Sequence, residues 1–395
     1  MNTICLFGGG RWSRVLLNVL LEGFPQLESI IWVTKNNYTQ NVAWLKSQNI
    51  TMVKIIQDKD QVWDLKPQAA IVATSSYSHS QYLKEILLRK IPVLSEKPFC
   101  FTPTEARELI YLSKQLSIVA GVNFEFTYAS YLHDFNTYVN SILVHTIDIV
   151  WQDSFYETRY GEKKIGDVYT PLIQDSFQHC WSLLRVLLPK ESLSISSVAY
   201  CKNSCISIEA RTLTKRIKIT LSRRSTQRDR IISVNNGEMV LNFSLEPGQM
   251  SIHGEKIKIK WRGHRPLLAV FTSFFDAIKE PELFDTWPLN ICNCLDVVDL
   301  SAQAAQMLDR SQMEQLEKIN PLLAQDTMTR NLLIDMFLPN LAAAGEYHRA
   351  HNIQEQIAFA DHVIRIISIH SVRNNTLCFS DLLTKSKTDE PKKIL

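Results

Sequence analysis

Asp175 and His179 stand four residues apart in a stretch, 171–188, whose apolar residues recur at helical spacing, so both fall on one helix face with Gln178 and Ser182. A carboxylate beside an imidazole can exchange a proton and tune its affinity for it. Ile173, Phe177, Trp181, Leu184 and Leu188 take the opposite face, with Thr170 placed as N-cap and Pro171 in the first turn. An amphipathic helix without chemistry would carry the same polar stripe. A second group of residues suits a phosphate. Gly8, Gly9 and Gly10, then Arg11, Trp12 and Ser13, lie between an apolar strand and an amphipathic helix. In that setting a glycine turn lets backbone N–H groups approach a pyrophosphate at the positive end of the helix. Gly8 and Gly10 fill the first two places of G-x-G-x-x-G, and Ser13 stands at the third.

Two further segments follow short apolar strands. One runs Thr74-Ser75-Ser76-Tyr77-Ser78-His79 and the other Ser95-Glu96-Lys97-Pro98. Both fall at carboxyl ends of parallel strands, where such sheets bind ligands, so a nicotinamide is expected there. NAD-preferring sites place an acid at the end of the second strand, about 20 residues past the glycines. Here that strand continues as Thr34-Lys35-Asn36-Asn37. A hydroxyl beside a lysine, with no acid, suits a 2′-phosphate, and NADP is expected over NAD; a plain surface lysine would read the same way. Asn123, at a strand end, is either a substrate contact or a turn former.

The elements that must hold these residues can be read from periodicity. Over 1–125, strands at 3–7, 30–33, 52–56, 69–73, 92–94 and 118–122 alternate with helices from about residue 12, through 83–88 and over 105–116. That is the βαβ pattern of a doubly wound parallel sheet, a Rossmann domain that binds NAD(P). Residues 126–311 read as a second, α+β domain: a helix at 127–140, a strand at 142–151, the helix at 171–188, then strands at 195–200, 206–211, 216–222, 230–234, 239–243 and 257–261. Turns such as Asn235-Asn236-Gly237 and Glu246-Pro247-Gly248 indicate a mostly antiparallel open sheet, with helices on one side. Helices at 267–279 and 290–308 close this unit. Residues 312–384 read as a helical extension and 385–395 as a disordered polar tail, within an α/β fold class.

Composition excludes several functions. With 43 basic and 40 acidic residues well mixed, the net charge of +3 implies no nucleic-acid face. Arg223-Arg224 and Arg228-Asp229-Arg230 read as a solvated hairpin end with no role. Eight scattered cysteines lack CxxC spacing, which fits a reducing cytoplasm and no zinc; Cys292 and Cys294 read as packing residues. Neither a leader nor a run of roughly 18 apolar residues is present, so no membrane partner is expected. His348 and His351 can share a helix face, but Glu355 sits about 10 Å of helix rise from His348, too far to complete a metal site. No metal is expected.

The glycine turn, Ala73-Thr74 followed by His79, Glu96-Lys97-Pro98, and Gly121-Val122-Asn123-Phe124 together resemble the glucose–fructose oxidoreductase and inositol dehydrogenase (Gfo/Idh/MocA) family, over residues 1 to roughly 310. The resemblance implies an enzyme that moves a hydride between a nicotinamide and a small polar hydroxy or keto compound, such as a sugar or cyclitol. It implies Lys97, Asp175 and His179 as catalytic, with His179 taking the hydroxyl proton while Lys97 and Asp175 orient the oxygen. Cofactor contacts are then expected from Gly8, Gly10, Arg11, Trp12, Thr34, Lys35, Thr74, Ser75, His79, Glu96 and Lys97. A homo-oligomer, dimer or tetramer, built on the open sheet face is implied as well. The family helix carries D-x-G-x-H-x-x-D; this chain matches it at Asp175 and His179 and departs at Phe177 and Ser182. Those departures leave two alternatives: an imine reductase of a biosynthetic pathway, or an NAD(P)-binding regulatory or interaction protein without chemistry.

Overall fold

A computed structural model of the chain describes residues 2–154, 156–159, 162–165, 170–200, 205–225, 227–245, 248–259 and 266–319. The extension beyond 319, with His348, His351 and Glu355, and the polar tail lie outside the described residues.

Six strands form the first sheet: β1 Thr3–Phe7, β2 Ser29–Val33, β3 Val53–Ile56, β4 Ala69–Val72, β5 Val93–Glu96 and β6 Ala120–Asn123. All are parallel, in the order β3-β2-β1-β4-β5-β6, which reverses direction between β1 and β4. Every residue of β4, β5 and β6 is buried, as a sheet covered on both faces requires. Helices α1 Arg11–Gly23, α2 Tyr38–Ser47, α3 His79–Leu88 and α4 Pro103–Leu116 connect the strands. A capping box opens α4: Thr102 accepts from the Glu105 backbone, Glu105 accepts in return from Thr102, and Pro103 fills the first turn. Helix α1 starts differently. Gly10 is its N-cap, and neither a side-chain cap nor an acid occupies its first turn. A glycine N-cap has no side chain with which to take up the first N–H groups of the helix.

Chain then passes through α5, Ser130–Val139, into an eight-stranded mixed sheet. Its strands are β7 Thr146–Ser154, β10 Ser194–Tyr200, β11 Ile206–Arg211, β12 Arg216–Ser225, β13 Asp229–Val234, β14 Met239–Asn242, β15 Gln249–Ile252 and β16 Glu255–Ile257. Strand β7 is central, pairing parallel with β12 and antiparallel with β13. Tyr156–Arg159 and Glu162–Ile165, as β8 and β9, form a small hairpin where the sequence reads as a loop. A π-helical turn, Ile173–Phe177, leads into α6, Gln178–Leu187. Helices α5 and α6 share a core with the inner face of this sheet.

Helices α7, Pro266–Lys279, and α8, Leu295–Ile319, end the described chain. The sequence places 267–279 with the second unit, yet Leu267, Val270, Phe271, Phe274 and Phe275 join the core of the parallel sheet, as do Trp287 to Val298. The 287–290 segment lies against β6, where Val122 N–H donates to Leu289 O at 2.9 Å. Gly121 allows this approach, because a Cβ there would stand 2.2 Å from the Trp287 ring. Cys292 lies in a 3₁₀ turn ahead of α8 rather than inside one helix with Cys294. Among the described residues no helix is long and apolar enough to cross a membrane, and no group of three His, Cys, Asp or Glu residues could hold a metal ion.

Candidate active site

The glycine turn leaves β1 and meets the residues after β2 and β4. Gly8 has φ +129°, and a Cβ on it would lie 2.1 Å from Ala73 O, so this position admits only glycine. Ser13, in place of the usual third glycine, is fully buried and donates to Ala73 O at 3.3 Å, so the hydroxyl finds a partner without spreading helix from strand. A Cβ on Gly10, by contrast, would meet nothing within 4 Å. A helix N-terminus with open space at its glycine N-cap is the cradle that a dinucleotide pyrophosphate requires, and the residues here fit such a group. Arg11 and Trp12 are half-buried at the same helix end.

Thr34, expected to meet a 2′-phosphate, is engaged within the protein. It is fully buried under Gly9 and accepts from Asn41 Nδ2 at 3.1 Å. Asn41 and Asn37 both donate to Gly9 O, at 3.0 and 2.9 Å, and Arg14 donates to Asn41 Oδ1 at 3.1 Å. Lys35 is exposed. Asn41 and Arg14 are absent from the residues singled out in the sequence; the signal for them was their place in the first turns of the helices that follow β2 and β1.

His79, expected among the cofactor contacts, is engaged within the protein as well. It is 2% exposed, with Nδ1 2.8 Å from Pro98 O and Nε2 3.1 Å from Thr74 O. Burial lowers its proton affinity, against the two carbonyl contacts that raise it. It ties the loops after β4 and β5 together. Thr74 and Ser75 themselves are half-buried beside it. Glu96 and Asn123 are internal too. One oxygen of Glu96 accepts from Trp12 Nε1 and Asn123 Nδ2, each at 2.6 Å. Burial pushes this carboxyl up and the two donors hold it down. Glu96 and Asn123 thus brace the Trp12 indole between β5 and β6, and neither stands open to a ligand.

Lys97, Asp175 and His179 converge from the two sheets' sides of the molecule. Lys97, at the end of β5, forms an ion pair with Asp175 Oδ1 and also donates to Asp175 O at 3.1 Å. Asp175 lies in the π-helical turn, one turn ahead of His179 on α6. Thr170 does not cap this helix; its hydroxyl pairs with that of Ser76 at 2.7 Å, a second tie to the loop after β4. Phe177, where the family pattern has glycine, is fully buried in the second core, and Ser182 donates to His179 O at 2.7 Å. The His179 ring stacks on Trp151 at 4.6 Å and meets Phe126 edge-on at 5.5 Å. Its Nδ1 is buried without a hydrogen-bond partner. Burial first, then Lys97, lowers its proton affinity well below the ordinary value; Asp175 opposes, Arg230 adds to the lowering, and Asp153 opposes. The imidazole is therefore neutral at pH 7.

Arg230 corrects another reading. Far from a solvated hairpin end, it is 3% exposed and paired with Asp153 at 2.5 Å. Strand alternation carried the signal for Arg230, which shares parity with the buried Ile232 and Val234.

Residues 3–124 match the family described as "Oxidoreductase family, NAD-binding Rossmann fold". Searched against curated proteins, the sequence finds no match. Solved structures share the fold at low identity. UDP-N-acetylglucosamine 3-dehydrogenase from Acidithiobacillus ferrooxidans superposes with TM-score 0.61 at 13% identity, covering 78% of this chain and 98% of its own. A Gfo/Idh/MocA family oxidoreductase from Vibrio cholerae gives 0.58 at 14%, over 78% and 98%. A 3-ketoreductase variant from Actinomadura kijaniata, in complex with TDP-benzene and NADP, gives 0.65 at 11%, over 78% and 98%. Residues 3–124 thus carry the Rossmann fold of the Gfo/Idh/MocA family model, to which this part of the chain is similar. The second sheet and its helices complete the two-part fold of those structures.

Proposed function

We propose that the chain is an NADP-preferring dehydrogenase or reductase acting on a small, polar hydroxy or keto compound of the sugar or cyclitol kind. The observation that carries this reading is the meeting of Lys97, Asp175 and a neutral His179 beside the carboxyl ends of β5 and β6. A nicotinamide dinucleotide, when bound, supplies or accepts the hydride. Gly10 and the first N–H groups of α1 would hold its pyrophosphate, and Trp12, braced by Glu96, lies at the same end. His179 takes the proton from a substrate hydroxyl during oxidation and returns it during reduction. Lys97, fixed by Asp175, donates to the substrate oxygen and steadies the negative charge that develops there. The absence of an acid after β2, with Lys35 and Arg14 near that strand end, supports the NADP preference.

The same resemblance supports a homo-oligomer. Val150, Thr220, Ile231 and Val240 lie half-exposed on the sheet face opposite α5 and α6, a surface suited to a second copy.

Titration with NADPH and, separately, NADH, followed by nicotinamide fluorescence, tests the cofactor. Tighter binding of NADPH is expected. A screen with keto sugars, polyols and a cyclic imine then tests the substrate. Binding of neither dinucleotide moves the reading to an interaction protein, and turnover of the imine alone to an imine reductase.

A further inference from the structure

Arg230 and Asp153 form an ion pair inside the second core that the chemistry above does not use. The guanidinium is gripped at two nitrogens: Nη1 donates to Gln152 O at 2.6 Å and Asp229 O at 2.9 Å, and Nη2 to Asp153 Oδ1 at 2.5 Å. Its backbone is held as well, with Arg230 N–H donating to Ser244 Oγ at 2.9 Å and Arg230 O accepting from Phe243 N–H at 2.9 Å. Trp151 and Arg230 are direct partners across β7 and β13, and the guanidinium carbon sits 3.7 Å from the centre of the indole. His179 stacks on the same indole, 4.6 Å between centroids and 19° from parallel. Phe126 stands edge-on to both rings, 5.5 Å from each. A buried cation and the proton carrier of the active site thus share one aromatic contact.

Stability alone gives this pair little reason to exist. Desolvating two charges roughly cancels their attraction, and apolar replacement of a buried pair is often neutral or better. A planar fork held by fixed acceptors and laid on an aromatic face does make a rigid clamp.

We propose that Arg230, tethered by Asp153, is a positioning residue for His179: it pins the Trp151 indole on which the imidazole stacks, so that the sheet orients a side chain carried by the helix. This rests on His179 being the proton carrier of the proposed reaction. Four charged groups act on that ring: Lys97 from β5, Asp175 from the π turn, Asp153 from β7 and Arg230 from β13. The two cations oppose protonation and so keep the resting ring neutral, the form that has a lone pair to offer.

The test needs neither substrate nor cofactor. Proton–carbon NMR of the full chain, with His179 assigned by the signal missing in His179→Asn, reads both the position and the protonation of the ring. In the wild-type chain the imidazole protons carry an upfield ring-current shift from Trp151. Arg230→Gln is expected to lose at least half of that shift and to titrate His179 about one pH unit higher. Arg230→Lys, which restores charge without the fork, recovers the midpoint but not the ring-current shift. An Arg230→Gln protein that folds and leaves both signals unchanged overturns the proposal. Should that variant not fold, the apolar pair Asp153→Leu with Arg230→Met reads the same two signals, and unchanged values overturn it equally. When a substrate is in hand, Arg230→Gln lowers kcat with KM held within about twofold. NMR changes in a protein that turns over no substrate would leave the positioning role standing and sink the oxidoreductase reading instead.

Discussion

His79 and His179 are both kept neutral by burial, which gives the fold a defined response to acid. Their proton affinities are lower folded than unfolded, so the unfolded chain binds more protons below the ordinary histidine value of about 6.5. Their contribution to stability is complete above that pH and is lost as pH falls through it. Urea melts from pH 8 to pH 5 should therefore show falling stability, with a shallower slope in His179→Asn; an equal slope would deny the imidazole its burial. The same neutrality sets the kinetics. In the oxidising direction kcat/KM should have reached its plateau by about pH 6.5, because the base is already free. His179→Asn and Lys97→Met should each lower kcat by roughly 100- to 10,000-fold, the range of a lost proton carrier or oxyanion partner. Steady-state rates on the substrate found by the screen decide this.

At the scale of elements, the β1–α1 turn separates a glycine the fold requires from one that the proposed ligand would require. Gly8 has a positive φ and backbone 2.1 Å from its would-be Cβ, whereas a Cβ on Gly10 meets no protein atom. Gly8→Ala should cost at least about 1–3 kcal/mol of stability, the scale of a strained backbone position. Gly10→Ala should leave the melting temperature unchanged and weaken NADPH binding at least about tenfold, a loss of about 1.4 kcal/mol. Calorimetric melts beside a fluorescence titration separate the two. Equal binding by Gly10→Ala would remove the pyrophosphate from this helix end. Helix α4 offers the contrast, since its Thr102–Glu105 capping box occupies the N–H groups that α1 leaves to a ligand.

For the whole molecule, the proposed active residues come together only because two cores meet. Lys97 belongs to the parallel sheet, Asp175 and His179 to the helix on the mixed sheet, and Ser76–Thr170 and Lys97–Asp175 bridge between them. The chain's return through α7 and the 287–290 segment, which packs into the first core, adds a second connection. The outer face of the mixed sheet remains available to another subunit. Light scattering should give a dimer or tetramer, and Ile231→Lys on that face should yield a smaller species with its fold intact; a monomeric wild type would refute the assembly.

Local pattern determined much of this protein. Alternating strands and helices defined the parallel sheet, the glycine turn defined the nucleotide end, and the four-residue spacing of Asp175 and His179 placed them on one face. Each of these depends on residues near in sequence, where periodicity and backbone sterics act directly. What the tertiary structure decided are contacts between distant segments. Thr34, His79, Glu96 and Asn123 occupy places suited to a ligand in one dimension, yet in three each is closed off by a partner: Asn41, two backbone carbonyls, Trp12 with Asn123, and Glu96. Arg230 moved the other way, from an apparent surface charge to the interior. Its strand parity said inward, but only the carboxylate of Asp153, 77 residues earlier, makes burial of that charge tolerable. Which polar residues face a ligand and which serve one another is settled by packing at long range, and no spacing along the chain encodes it.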